Sequence, residues 1–185
     1  MTETDGDLAA LARAGRRDAF DALVERHGPS VLAFLRQLTG RTEDALDLFQ
    51  DTFLKAFRAI GRLEEPARFK AWVGRIALNS ARRHFERRVR VPEVFLDDAR
   101  GNVREPAAEP APESGLDDPA SKEQVRAAID RLPPRQKTVL SLRLNLGLPF
   151  AEIARQLGIK EENARAHHYQ ALKTLKRALG TGGTS

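Results

Sequence analysis

The sequence predicts an all-α protein made of two small helical domains, residues 7–90 and 121–180, joined by a flexible acidic linker over residues 91–120. Three observations carry that expectation. Apolar residues recur at three- and four-residue spacings through both ends of the chain, which is the period of a helix with one face packed inward. Between Val91 and Ala120 the period stops, and Pro106, Pro110, Pro112 and Pro119 stand among acids and small residues that bury too little apolar area to offset ordering. Charge follows the same division, with a net of +4 over residues 1–92, −6 over 93–121 and +7 over 122–185.

Taken in order, a short start from Asp7 to Ala14 precedes a strong periodic segment from Asp18 to Thr39. Its stripe is Phe20, Leu23, Val24, His27, Val31, Phe34, Leu35 and Leu38, and it continues in phase past Pro29. That pattern predicts one long helix, or two nearly coaxial ones, bent near Gly28-Pro29 and ended by Gly40. Thr42 is the expected N-cap of the next helix, with Glu43 and Asp44 suiting its positive end. Leu46, Phe49, Phe53, Phe57 and Ile60 are its expected core stripe, and Asp47, Gln50, Asp51, Leu54, Lys55 and Arg58 the opposite, acidic face. A loop from Gly61 to Pro66 leads into Phe69–Arg90. There an apolar stripe of Phe69, Trp72, Val73, Ile76 and Phe85 shares a helix with Arg75, Asn79, Arg82, Arg83, Arg87, Arg88 and Arg90. Such a helix can pack one face and offer a polyanion the other, with aromatic residues able to stack on an unpaired base. A core helix with a solvated basic back has the same pattern.

Beyond the linker, Ser121 with Gln124 reads as a capping box opening a short helix with Val125, Ala128, Ile129 and Leu132. Pro133-Pro134 restarts the chain into a helix carrying Val139, Leu140, Leu142 and Leu144, closed by Gly147. Phe150–Leu157 is the next helix, Gly158 its C-terminal cap, and Lys160–Leu179 the last, with Ala164, His168, Ala171, Leu172, Leu175 and Leu179 inward. A short helix, a glycine-centred turn and a longer basic helix form a helix-turn-helix pattern, although any helical hairpin has similar punctuation. Asn163, Arg165, His167, Tyr169, Gln170 and Lys173 are the last helix's candidates for base edges and phosphates.

Two basic bodies joined by an acidic connector suit a partner with separated anionic surfaces, such as duplex nucleic acid. The absence of cysteine excludes disulfides and thiolate metal sites and fits a reducing compartment. No apolar run approaches the roughly 20 residues of a membrane span, and the polar N-terminus lacks a signal-peptide core. The expectation is a soluble, cytoplasmic protein with no membrane insertion of its own, no catalytic residue, no cofactor and no metal. His167 and His168 are adjacent on a helix and diverge by about 100 degrees, which does not suit one shared ion. Two other classes stay open on residues alone: a helix-turn-helix repressor or activator, and a metal-dependent nuclease using Asp44, Asp47 and Asp51, which lacks a companion motif for a two-metal site.

The runs DALDLFQDTFLKAFRAI, FKAWVGRIALNSARRHF and LPPRQKTVLSLRLNLGLPFAEIARQLGI, in this order and at this separation, resemble a bacterial RNA polymerase sigma factor of the extracytoplasmic-function (ECF) group. The resemblance covers nearly the whole chain. It implies a factor that binds core RNA polymerase and directs it to two-part promoters. Asp47, Gln50, Asp51 and Leu54 would face the polymerase clamp. The loop Leu63 to Arg68, with Phe69, Trp72, Arg75 and Asn79, and with Arg82 and Arg83 beyond, would take extruded bases of the −10 element. Arg165, Tyr169 and their neighbours would read the −35 element as duplex, the linker would thread basic channels of the polymerase, and an anti-sigma factor is an implied partner. The chain departs from the family's usual recognition helix: it has Glu162, Asn163, Ala164, Arg165, Ala166 and His167 where Gly-Thr-Val-Lys-Ser-Arg is common. Gln170 replaces a frequent arginine, and Gly74 a frequent aromatic.

Overall fold

The computed structural model describes residues 3–87 and 119–179. They form α1 (Asp5–Arg13), α2 (Arg17–Thr39), α3 (Thr42–Ala59), 3₁₀ turns at Ile60–Arg62 and Pro66–Arg68, α4 (Phe69–Arg87), α5 (Pro119–Asp130), α6 (Pro134–Leu144), α7 (Phe150–Leu157) and α8 (Glu161–Ala178). Contacts among the described residues divide them into two units. One carries α1 to α4 together with Leu144–Leu148, and the other the remainder of α5 to α8. Of the expected linker over residues 91–120, residues 91–118 lie outside the described residues, as do Arg88 and Arg90. No helix among the described residues is long and apolar enough to cross a membrane.

In the first unit, α1 starts two residues earlier than expected because its cap is Thr4. The Asp7 N–H donates to Thr4 Oγ1 at 3.2 Å and the Thr4 N–H to the Asp7 carboxylate at 3.0 Å, a reciprocal capping box. Asp5 then reaches α2, accepting from Arg26 at 2.7 Å and lying 2.8 Å from His27 Nε2. Helix α2 runs unbroken through Pro29, which disposes of the two-helix alternative. Pro29 and Glu25 are both exposed, so the carbonyl that loses its helical donor can turn to water. Gly40 ends the helix at φ 68°, its N–H donating to the Arg36 carbonyl.

Two expectations for α3 are corrected. Arg41, not Thr42, is the N-cap residue, and no side chain caps the helix. The inward face is Ala45, Leu48, Thr52, Phe53, Ala56 and, just beyond, Ile60, while Leu46 and Phe57 are 42% and 46% exposed. Apolar residues occupy more of this helix than one buried arc can take. Small Ala45, Thr52 and Ala56 bring α3 close to its neighbours, so the larger Leu46 and Phe57 lie at the margin of the contact, Phe57 touching the Phe20 ring edgewise at 5.2 Å while nearly half its surface stays open.

His27 is buried against the Phe69 ring, 5.6 Å between centroids. Burial pulls its pKa below the ordinary 6.5, although the nearby Asp5 carboxylate works in the opposite direction. A histidine held neutral in the fold takes up its proton more readily when unfolded. Its contribution is therefore complete above pH 6.5 and is lost as pH falls below that value. Thermal melts between about pH 7 and pH 5 should show this acid-side loss, and His27→Gln should flatten it. An identical pH profile in that variant would exclude His27 as the cause.

In the second unit, Ala128, Leu132, Leu140, Ala171 and Leu175 form a core cluster bordered by Ile129, Leu172 and Leu179. Helix α5 begins at Pro119, a residue suited to a first helical turn. The expected linker therefore ends two residues early, and Ser121 lies inside the helix instead of capping it. Leu144, the last residue of α6 and grouped with the first unit, is 51% exposed although expected in the core. Helix α7 stops as anticipated at Gly158, whose φ of 67° favours glycine. The Gly158 and Ile159 N–H groups both donate to the Ala154 carbonyl, closing the turn that launches α8. Glu152, 5% exposed, accepts from both Arg155 and Gln156, so its buried charge is paired.

Candidate functional site

The outer face of α3 carries Asp47, Gln50 and Leu54, all exposed, with Asp51 half-buried at its edge. Leu46, Gln50, Leu54 and Phe57 follow one another at helical spacings, and Leu54 is 49% exposed. The face is thus an apolar ridge edged by carboxylates, larger than the acidic patch with one leucine that the sequence suggested. Leu46 and Phe57 belong to this face, although their hydrophobicity places them on the expected core stripe. The signal that could have found them is their four- and three-residue spacing from Gln50 and Leu54. Asp51 is tied to Lys55, whose ammonium also donates to Ser80 Oγ of α4 at 3.0 Å. Burial raises the Asp51 pKa, but hydrogen bonds from Lys55 and Ser80 and the charges of Lys55 and Arg87 outweigh it, and the carboxyl is held below its ordinary value.

Helix α4 separates its two jobs cleanly. Phe69, Val73, Ala77, Leu78 and Ala81 are buried. Arg68, Trp72, Arg75, Asn79, Arg82 and Arg83 recur on the other side at three- and four-residue steps, all exposed except the half-buried Trp72. Arg68 pairs with Glu65 at 3.2 Å and Arg82 with Glu86 at 2.9 Å, exposed contacts that a phosphate can replace at small cost. Leu63 and Phe69 do not belong to this surface as expected. They are 4% and 0% exposed, and the Leu63–Arg68 segment is partly wound into a 3₁₀ turn that folds Leu63 under it. The Phe69 ring lies among Phe20, His27 and Trp72, at centroid distances of 6.4, 5.6 and 6.0 Å, and so supports Trp72 from beneath.

On α8, the six candidates form two rows instead of one. Arg165, Tyr169 and Lys173 are four residues apart, as are Asn163 and His167, with Gln170 three further on. By helix geometry the rows lie about 120 degrees apart. Arg165, Gln170 and Lys173 are exposed, and Asn163, His167 and Tyr169 half-buried. Arg165 donates to Glu161 at 2.6 Å, and Gln136 of α6 donates to the Gln170 amide oxygen at 3.1 Å. His168 is buried, in edge contact with Phe150 at 5.3 Å, as its place on the apolar stripe suggested.

The carboxylates invoked for a nuclease do not converge. Asp44 is buried, 3.7 Å from His84 Nε2 and 3.8 Å from Arg41, while Asp47 faces out and Asp51 is tied to Lys55. Among the described residues, no three His, Asp or Glu side chains come together as metal ligands.

A helical unit with a basic stripe beside an aromatic, and a second unit with a helix-turn-helix, define a two-domain DNA-recognition protein. Residues 23–91 match the family described as Sigma-70 region 2, and residues 122–175 match Sigma-70, region 4. The chain is 34% identical to RNA polymerase sigma factor CarQ of Myxococcus xanthus, over 91% of this chain and 93% of that one. It is 33% identical to the ECF RNA polymerase sigma factor BldN of Streptomyces coelicolor, over 94% of this chain but only 65% of that protein's length. The solved structure of CnrH in complex with the cytosolic domain of CnrY is similar at a TM-score of 0.68 and 26% identity, covering 98% of this chain and 100% of that one. The chain belongs to the ECF RNA polymerase sigma factors, being also 32% identical to the ECF RNA polymerase sigma factor SigM of Mycobacterium tuberculosis over 96% of this chain and 85% of that one. These are non-catalytic factors that bind core RNA polymerase and direct it to promoters.

Proposed function

We propose that this sigma factor holds core RNA polymerase through the outer face of α3, captures extruded bases of the −10 element on α4, and reads the −35 element as duplex with α8. The observation that carries the reading is the α4 stripe. Arg75, Asn79, Arg82 and Arg83 line one exposed row with the half-buried Trp72, continued by Arg68 of the preceding 3₁₀ turn, on a helix whose other side is fixed in the core by Phe69 and Val73. Opening DNA costs a few kcal/mol per unstacked step, and a surface that stacks and hydrogen-bonds a flipped base recovers part of it. Recognition and melting then become one event. The protein acts where the polymerase is, in the cytoplasm, and the solved CnrH structure, in which that factor is in complex with the cytosolic domain of CnrY, supports a protein partner for this chain as well, which we take to be an anti-sigma factor.

The test separates the two DNA-reading helices. Arg165→Ala should cost about 1–3 kcal/mol of closed-complex affinity on duplex promoter and change the preferred upstream sequence. Asn79→Ala should leave closed complexes nearly intact and lower the fraction that opens, read by permanganate reactivity of unpaired thymines. Were Asn79→Ala to weaken duplex binding as much as Arg165→Ala, with melting per bound complex unchanged, α4 would be a second duplex-reading surface and the proposed melting role would fall.

A further inference from the structure

We propose that Phe150 is a positioning residue for upstream recognition, its ring holding the Arg165 guanidinium in the orientation that reads a base pair. The proposal rests on the duplex-reading role of α8 given above. Phe150 is the first residue of α7 and is 5% exposed, so its ring is fixed in the unit's interior. The Arg165 guanidinium carbon lies 4.9 Å from the ring centroid, over its face. Arg143 of α6 also lies 4.9 Å from that centroid, and His168, one turn along from Arg165, meets the ring edgewise. Glu161 accepts from Arg165 at 2.6 Å, so two contacts, a ring face and a carboxylate, restrict one long exposed side chain.

An arginine reads guanine with a planar fork of N–H donors, and the fork discriminates only when its plane is set before contact. A free arginine would lose its rotamer freedom on binding and could meet several bases equally well. The attraction between the guanidinium charge and the negative ring face requires an aromatic at position 150, whereas core packing alone would accept a leucine. Nothing in the local sequence joins the two residues. Phe150 opens the helix before the turn and Arg165 lies beyond it, and the fold brings them together.

The experiment uses the full chain assembled with core polymerase on a promoter library randomised in the upstream element, with bound DNA sequenced. Arg165→Ala identifies the base pairs whose preference the arginine sets. Phe150→Leu should then lower discrimination at those same base pairs about three- to tenfold. It should leave other positions unchanged and add nothing in the Arg165→Ala background. Phe150→Tyr, which keeps the ring face, should retain the wild-type preference. Undiminished discrimination in Phe150→Leu, or equal weakening on all sequences, would overturn the proposal, the second result marking Phe150 as a packing residue only.

Should the leucine variant fail to fold, 3,4,5-trifluorophenylalanine at position 150 keeps the shape and depletes the ring face. It must reproduce the loss of discrimination at an unchanged melting temperature, and retained discrimination would overturn the proposal. If Arg165→Ala itself altered no base preference, the duplex-reading role of α8 would fall, and this inference with it. An effect of Arg165→Ala without one of Phe150→Leu removes this inference alone.

Discussion

Asp47→Arg is expected to lower affinity for core RNA polymerase by about 2–5 kcal/mol, the effect of reversing a charge at a partly desolvated pair. Helical content and melting temperature should not change, because Asp47 is exposed on α3. Leu46, Leu54 and Phe57 lie exposed on the same helix, so on the proposed reading apolar contact is expected to supply much of the affinity and the carboxylates to set register. Competition of the variant against labelled wild-type protein for core polymerase, with circular dichroism melts in parallel, measures both quantities. Wild-type affinity would remove α3 from the polymerase interface. Asp51 is the less clean position for this test. Its carboxylate is bound by Lys55, which also holds Ser80 of α4, so an arginine there would face a lysine and disturb the fold as well as the partner.

Phe69→Ala is expected to destabilise the first unit by about 3–5 kcal/mol, the usual loss when a buried phenylalanine leaves a cavity. Few proteins have more than 5–15 kcal/mol in total, so this single change should bring the unit close to unfolding at moderate temperature. Phe69 is fully buried among Phe20, His27 and Trp72. Trp72 is the chain's only tryptophan, which makes intrinsic fluorescence a direct monitor of that corner. Denaturant titration should show an earlier transition by fluorescence, with the tryptophan more water-exposed before it. A residue whose role was base stacking would behave in the opposite way, with stability unchanged and only promoter opening reduced. That outcome would restore Phe69 to the DNA surface from which its burial removes it.

The α4 stripe was legible in the sequence because helical phase alone puts Arg75, Asn79, Arg82 and Arg83 on one side of Val73 and Ala77. The support beneath it was not. Leu63 and Phe69 look like the rest of an aromatic, basic recognition segment when read in line, and only the packing of α1, α2 and the 3₁₀ turns over them shows that they face inward. On α8 the Glu161–Arg165 pair, four residues apart on one helix, is legible from helical phase, whereas Gln136 and Phe150 reach Gln170 and Arg165 from other helices and only the fold brings them there.

What the sequence determined by itself was the helical class, the order of the helices, the glycine stops at Gly40 and Gly158, and the family. Each depends on relations within a few residues: a period of three to four, a left-handed cap, a motif read continuously. What only the tertiary structure decided was which part of an over-wide apolar surface is buried. On α3, Ala45, Thr52 and Ala56 go inward while Leu46 and Phe57 stay out, and on α6 Leu144 stays out. Hydrophobicity ranks those residues in the reverse order. The buried arc is chosen by how closely neighbouring helices can approach, and close approach favours small side chains at the contact and leaves large ones at its edge, where they remain available to a partner.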